Sequence, residues 1–368
     1  MKYYIIAGEA SGDLHGANLI KEIKKKDSNA IIRCWGGDLM ESEGAVIVKH
    51  IKDLAFMGFW EVLLNIRSII NNLSFCKKDI IEFSPDAIVY IDYPGFNLRI
   101  AKWAKNFSFN NHYYISPQVW AWKESRVKIL KECLNNLYVI LPFEKKYFNE
   151  KHSLNVEYVG HPLVEHLLKL KKDPHFIEKY NLDGNKEIIT LMPGSRKQEI
   201  KKILPIFIDV VNKFKSYQFV IAAAPSIESE FYLSIVKNNS IKIIHNNTYN
   251  LLIHSKAALV TSGTATLETA LLKIPQLVCY KTSFVSFFIA KRLVKLNYIS
   301  LVNLILNKEV VKELIQKKCN AKKITEGLKE LLMRKNKSIL KEYELLFKKI
   351  GKNKASKITS KLIINSIK

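Results

Sequence analysis

The sequence predicts an α/β protein of two doubly wound domains facing a central cleft, and two observations carry that prediction. Apolar, β-rich runs alternate with helical periods along the 368 residues, the pattern of a parallel sheet wound with helices. The runs also form two series, parted by a charged helical stretch without strand character from Leu163 to Asn185. A chain of this length has room for two cores. The predicted domains are residues 1–165 and 166–339, with further helices at 340–368.

The first series reads "YYIIA", "AIIRCWG", "AVIVKH", "DAIVYID", "HYYIS", "LYVILP" and "VEYVG". Its first strand runs into "GEASGD" and a helix expected to begin near Asp13. Gly8, Gly12 and Gly16 are spaced G-x-x-x-G-x-x-x-G, whereas a dinucleotide turn needs G-x-G-x-x-G. Glu9 and Asp13 would repel a phosphate, so this loop is expected to hold something else.

The stretch Leu54 to Ile70 is apolar nearly all round, interrupted mainly by Glu61, Asn65 and Arg67. It is too short and too charged to span a bilayer. Either it is buried, or it lies in a lipid interface with Phe56, Met57, Phe59, Trp60, Leu63 and Leu64 as an acyl-facing patch.

The strand "DAIVYID" ends on Asp92 before Pro94 and Gly95 turn the chain. A carboxylate at that end of a central strand points at the ligand crevice of an open sheet and suits a general base. Alternatively, Asp92 only bonds the Gly95–Asn97 turn amides. Next, "SPQVWAWKESR" sets Trp120 and Trp122 among Gln118, Lys123 and Arg126. These indoles are either core or a platform for sugar or acyl groups. His161, directly after the last strand, is expected to be structural.

The second series is "EIITLMPG", "FVIAAAP", "IKIIH", "AALVTSG" and "QLVCY". In "MPGSRKQEI", Gly194 turns the chain, Ser195 is expected to cap a helix starting at Arg196, and free amides with an arginine fork suit an anion. In "SGTATLE", Ser262, Gly263, Thr264, Ala265 and Thr266 again suit a diphosphate, and Glu268 can accept ribose hydroxyls. The sequence has no G-K-[ST] phosphate loop, which argues against ATP hydrolysis. The two turns suit a nucleoside diphosphate bound whole and released. After Tyr280 the pattern turns helical to the end, with lysine-rich segments from Lys322 to Lys368.

Composition narrows the class. Hydrophobic content of 48% with 25% charged residues fits a folded soluble protein. Five scattered cysteines without a C-x-x-C pair make a disulfide framework or zinc site unexpected. With no signal-peptide pattern either, a cytoplasmic location is expected. The net charge of +24 comes mostly from lysine, since seven of 58 basic residues are arginine. Either it is compositional bias on solvated faces, or it serves attraction to an anionic membrane surface. Nothing patterns it for nucleic acid.

In order and spacing, "GEASGD", "IDYPGFN", "SPQVWAW", "GHPL", "PGSR", "SGTATLE" and "SLVNLIL" resemble lipid-A-disaccharide synthase, from Ile5 to about Leu314. The resemblance implies a GT-B glycosyltransferase: two Rossmann-like domains, the first for acceptor and membrane, the second for the UDP-sugar donor. It implies inverting transfer from UDP-2,3-diacylglucosamine to 2,3-diacylglucosamine 1-phosphate at the inner face of the inner membrane. Asp92 then resembles the base, Arg196 the diphosphate grip, and Glu268 with residues 262–266 the nucleotide pocket. Asn303 lies near the donor, while Glu9, Ser11, Gly12 and Asp13 face sugars. No cofactor or metal is expected. The C-terminal helices pack on the first domain or, in a homodimer formed by C-terminal exchange, on a partner. The nearest rival is another GT-B enzyme, such as a UDP-N-acetylglucosamine transferase or epimerase; an epimerase of soluble sugar nucleotides needs neither the apolar stretch nor the tryptophan loop. A non-catalytic basic binding protein is the more distant alternative.

Overall fold

The computed structural model describes residues 1–54, 66–168, 170–237, 241–282, 297–333 and 336–367. The chain divides into two compact units, residues 1–165 with 352–368, and residues 166–351. The first holds seven strands: β1 (Lys2–Ile6), β2 (Ile31–Gly36), β3 (Val46–His50), β4 (Ala87–Ile91), β5 (Asn110–Tyr114), β6 (Asn136–Val139) and β7 (Glu157–Tyr158). The second holds β8 (Ile188–Met192), β9 (Gln218–Ala222), β10 (Lys242–Ile244), β11 (Ser255–Thr261), β12 (Gln276–Tyr280) and β13 (Glu313–Ile315). The sheet orders are β3-β2-β1-β4-β5-β6-β7 and β10-β9-β8-β11-β12-β13, with parallel pairing throughout. Each is a doubly wound, Rossmann-like sheet whose order reverses once, between β1 and β4 and between β8 and β11. Ligand crevices of such sheets open at the carboxyl ends of those strands.

Central strands buried on both faces explain the unbroken apolar runs. Tyr3, Tyr4, Ile5 and Ile6 of β1 are all fully buried, as is the whole of β4. The period of two sends Tyr4, Ile6, Ile88 and Tyr90 to one core and Tyr3, Ile5, Val89 and Ile91 to the other. That second core also takes Ala355, Ile363 and Ile364 of the final helix, Ala355–Ile367. Ser356 ties this helix down by donating its hydroxyl to the buried Glu165 carboxylate at 2.7 Å. All five cysteines are free and buried.

Three expectations change. Residues 340–351 do not return to the first unit, because the helix Asn336–Ile350 belongs to the second, where it buries Tyr343 and Leu346. The segment after Tyr280 is not wholly helical: Glu313–Ile315 adds an edge strand beside β12. Asn303 is not open to a donor. It is fully buried, its amide donates to the Val311 carbonyl at 2.7 Å and to Glu313 at 2.8 Å, and its oxygen accepts from the Val310 and Val311 N–H groups at 2.8 and 3.0 Å. All its hydrogen-bonding capacity goes into the loop that feeds β13. The apolar patch residues Phe56, Met57, Phe59, Trp60, Leu63 and Leu64 lie outside the described residues.

Replacing Asn303 with alanine strands two buried amides, a carbonyl and one partner of Glu313. Asn303→Ala is expected to cost about 2–4 kcal/mol, read as a lower urea midpoint. An unchanged midpoint would remove the structural role.

Candidate functional site

The site of the first unit begins where β1 ends. The helix starts at Ala10 rather than Asp13, so Glu9 is its flanking residue and Ser11, Gly12 and Asp13 fall in its first turn. Gly8 is glycine because a Cβ there would strike the Tyr93 ring. Glu9 and Ser11 are exposed. Asp13 is not a sugar-facing acid: it is buried and accepts from the N–H groups of Gly37 (2.7 Å), Leu39 (3.1 Å) and Met40 (3.1 Å). It binds the amino end of the helix Asp38–Ser42, whose free amides need an acceptor.

β4 runs directly into Asp92 and Tyr93, both left-handed, with φ of 44° and 47°. The Asp92 carbonyl accepts from Asn97 Nδ2 at 2.8 Å and the Tyr113 hydroxyl at 2.5 Å, which fixes the turn. The backbone N–H groups of Phe96 and Asn97 go to the Tyr93 carbonyl, not to the Asp92 carboxylate. The carboxylate is therefore not spent on those two amides, and the adjacent Tyr93 N–H favours its charged form. Its outer edge is open to solvent, while the atoms crowded beneath it push its pKa up to about 6, with the Glu9 charge adding to the rise.

The two tryptophans part company. Trp120 donates to the buried Glu144 at 3.0 Å and packs edge-on against Phe143 at 4.9 Å. Trp122 is 43% exposed beside Lys123 and Arg126, and Gln118 is exposed on the same loop. Sequence reasoning passed over Glu144, which follows β6 and also accepts from the Ile140 and Leu141 N–H groups at 3.1 and 2.9 Å. Burial lifts its pKa to about 7, the bonds from Leu141, Trp120 and Ile140 pull it back, and the Asp92 charge adds a little to the rise. The signal was local: a Pro–x–Glu start to a helix after a strand, as in "LPFE". His161 accepts from the Leu163 N–H at 3.2 Å, and burial drives its pKa down to about 3. It stays neutral and structural, as expected.

In the second unit the helix after β8 starts at Lys197, flanked by Arg196, and Ser195 does not cap it with its side chain. Instead the Ser195 N–H donates to Glu199 at 3.3 Å, and the largely exposed Arg196 lies 3.9 Å from the same carboxylate. Gly194 holds φ of 119° with Glu199 packed against it. After β11, Ser262 donates to the Ile299 carbonyl at 2.9 Å and Thr266 to the Gly263 carbonyl at 2.8 Å. Internal bonds thus take two of the three hydroxyls, leaving Gly263 and Thr264 exposed and Ala265 partly so. Glu268 is hydrogen-bonded to Tyr249, and burial raises its pKa to about 7. Among the described residues no cluster of three or more His, Cys, Asp or Glu is placed to hold a metal ion, and no helix is long and apolar enough to cross a membrane.

The Glu268 pKa fixes a sign. It lies above the unfolded value of about 4.3, so protonation favours the fold. That stabilisation is complete below about pH 4.3 and is lost as pH rises through about 7. The melting temperature of the unaltered protein minus that of Glu268→Gln is therefore expected to fall between about pH 4 and 7. A flat difference would contradict the burial argument.

The sequence profile of the lipid-A-disaccharide synthetase family matches residues 3–364. The chain is 33% identical to the lipid-A-disaccharide synthase of Coxiella burnetii (strain CbuG_Q212) over 99% of its own length and 98% of that protein. It is 32% identical to that of Syntrophus aciditrophicus (strain SB), covering 99% and 97%. Among solved structures it superposes on a UDP-GlcNAc 2-epimerase from Neisseria meningitidis with TM-score 0.72 at 14% identity, covering 99% and 100% of the two chains. A glycosyltransferase of kitacinnamycin gives TM-score 0.67 at 10% identity, covering 100% and 99%. At that identity the likeness is one of fold, shared by GT-B glycosyltransferases and these epimerases. The full-length profile match and the relatives place this chain in the lipid-A-disaccharide synthase family, glycosyltransferases of lipid A biosynthesis.

Proposed function

We propose that the protein joins UDP-2,3-diacylglucosamine to 2,3-diacylglucosamine 1-phosphate with inversion, giving the β-1,6-linked tetraacyl disaccharide 1-phosphate and UDP. The observation that carries this is the Asp92 carboxylate, held at the strand-order switch of the first sheet with its pKa near 6. A base poised near working pH is what proton removal from a sugar hydroxyl requires. Asp92 takes the proton of the acceptor 6-hydroxyl, the freed oxygen attacks the donor anomeric carbon, and the bond to the diphosphate breaks. Gln118 and Trp122 contact the acceptor, with Glu9 and Ser11 beside its reacting end.

On the donor side, Arg196 and the Ser195 N–H offer charge-assisted donors to the diphosphate. Glu199 engages both, so an arriving diphosphate displaces an internal anion from its own donors. Thr264 and the Gly263 backbone extend this cradle, and Glu268 accepts from the ribose. Fixed dipoles with one guanidinium carry the leaving-group charge, and the transfer is metal-independent in this proposal. Peripheral attachment to the cytoplasmic face of the inner membrane is supported by the +24 charge. Ile70 and Phe75, 58% and 46% exposed on the helix Ile66–Phe83 that continues the apolar stretch, support it too. A homodimer by C-terminal exchange would repeat between chains the contacts that Ala355–Ile367 makes within its own.

UDP release is expected only when both acylated substrates are present, with the disaccharide confirmed by mass. Asp92→Asn is expected to lose about 10²–10⁴ in kcat. Because the base must be ionised, kcat/KM is expected to rise through about pH 6 and then level off. Turnover of unacylated UDP-N-acetylglucosamine alone would favour the epimerase reading. Activity abolished by a chelator and restored by Mg²⁺ would remove the metal-free step.

A further inference from the structure

The exposed Trp122 ring carries two cations. The Lys123 ammonium lies 4.6 Å from its centroid and the Arg126 guanidinium carbon 5.2 Å. Cation–π attraction offsets little of the repulsion between like charges at an exposed site. The one acid of the segment is drawn elsewhere: Glu124 pairs with Lys151 at 2.6 Å and His152 at 3.1 Å, and accepts from the Tyr147 hydroxyl at 3.1 Å. Among the described residues no ion pair takes up Lys123 or Arg126. The turn that presents them is fixed at a cost, since Lys123 holds φ of 55° and its carbonyl accepts the Arg126 N–H at 3.0 Å. Arg126 also lies within electrostatic reach of the Tyr113 hydroxyl, the group that donates to the Asp92 carbonyl. The cation pair and the carboxylate therefore share one rim of the sheet.

We infer that Trp122, Lys123 and Arg126 form a subsite for a phosphate monoester carried by the molecule that presents its hydroxyl to Asp92. The inference rests on the proposed transfer and deepens it, by naming the group that recognises the acceptor's phosphate. A guanidinium offers two parallel donors and an ammonium a third, matched to a group bearing a charge of about −1.5 to −2. The indole face walls one side from water and strengthens both interactions. Glu9 and Asp92 repel a phosphate from the reacting end. One sugar is thus oriented twice, its hydroxyl drawn to the carboxylates and its phosphate to the cations. A membrane headgroup phosphate shares this chemistry, and the test separates the two sources.

The test compares two diacylglucosamine acceptors of identical acyl composition, one with a 1-phosphate and one with a free 1-hydroxyl. The unaltered protein is set against a Lys123→Gln/Arg126→Gln double variant. The ratio of kcat/KM for phosphorylated over unphosphorylated acceptor is expected to fall about tenfold to a hundredfold in the variant, through KM. A Lys123→Arg/Arg126→Lys pair is expected to keep most of the ratio. The KM for the UDP-sugar is expected to stay put. A ratio that survives in a double variant with native melting temperature overturns the inference. So does selective loss of binding to phosphatidylglycerol vesicles with the ratio intact, which assigns the cluster to the membrane. Acceptor binding measured without donor reads the subsite in the same variants. If the unaltered protein transfers to neither acceptor, the proposed reaction fails, and the binding comparison still decides the phosphate subsite.

Discussion

Two successive left-handed residues at the end of β4 are the constraint on which the first unit's site depends. Such backbone costs a non-glycine residue of order 1–3 kcal/mol, and Asp92 and Tyr93 both adopt it. What holds them is the Asp92 carbonyl, gripped by the Asn97 amide and the Tyr113 hydroxyl. Each bond contributes about 1 kcal/mol, and Asn97 adds weaker contacts to the Ile6 and Ile91 carbonyls at 3.3 Å. One buried asparagine thus clamps the ends of β1 and β4 together at the switch point.

Consequences spread from that clamp. The left-handed turn throws the Tyr93 ring across Gly8 and onto Phe96 at 5.6 Å, and Phe96 in turn meets Trp35 at 5.0 Å. With Gly8 held under the ring, Glu9 lies within electrostatic reach of Asp92 and helps raise its pKa. Asp13, one helical turn on, is buried and takes the amides of Gly37, Leu39 and Met40. The opening loop therefore separates its acids by burial. One stays in solvent near Asp92, and the other stabilises an adjacent helix.

The two units solve opposite electrostatic problems with the same sheet. At its strand ends the first presents the Asp92 carboxyl with a raised pKa, suited to taking up a proton. The second presents an arginine and a backbone amide already engaged by an internal carboxylate, Glu199. That arrangement suits an anion that must bind and later leave, because the competing acid lowers the cost of release. Burial serves as the tuning device in both, and it acts on Glu268 through the same physics.

The sequence by itself determined the architecture, because strand and helix periods are local. All twelve expected strands formed, and each chemistry-bearing turn fell at a strand's carboxyl end, where a parallel sheet puts every strand-to-helix turn. The short edge strand Glu313–Ile315 escaped notice because three residues carry no period. Which polar residues face a ligand and which hold the fold was decided by tertiary structure alone. Asp13 and Thr266 carry the same acceptors as binding residues, yet neighbours distant in sequence take them, and Asn303 is consumed by the loop that follows it. Trp120 and Trp122 stand two residues apart, one bonded to Glu144 and the other in solvent. A hydrogen bond is spent on whichever partner the fold brings within about 3 Å, and that partner is set by packing across the whole unit rather than by the motif.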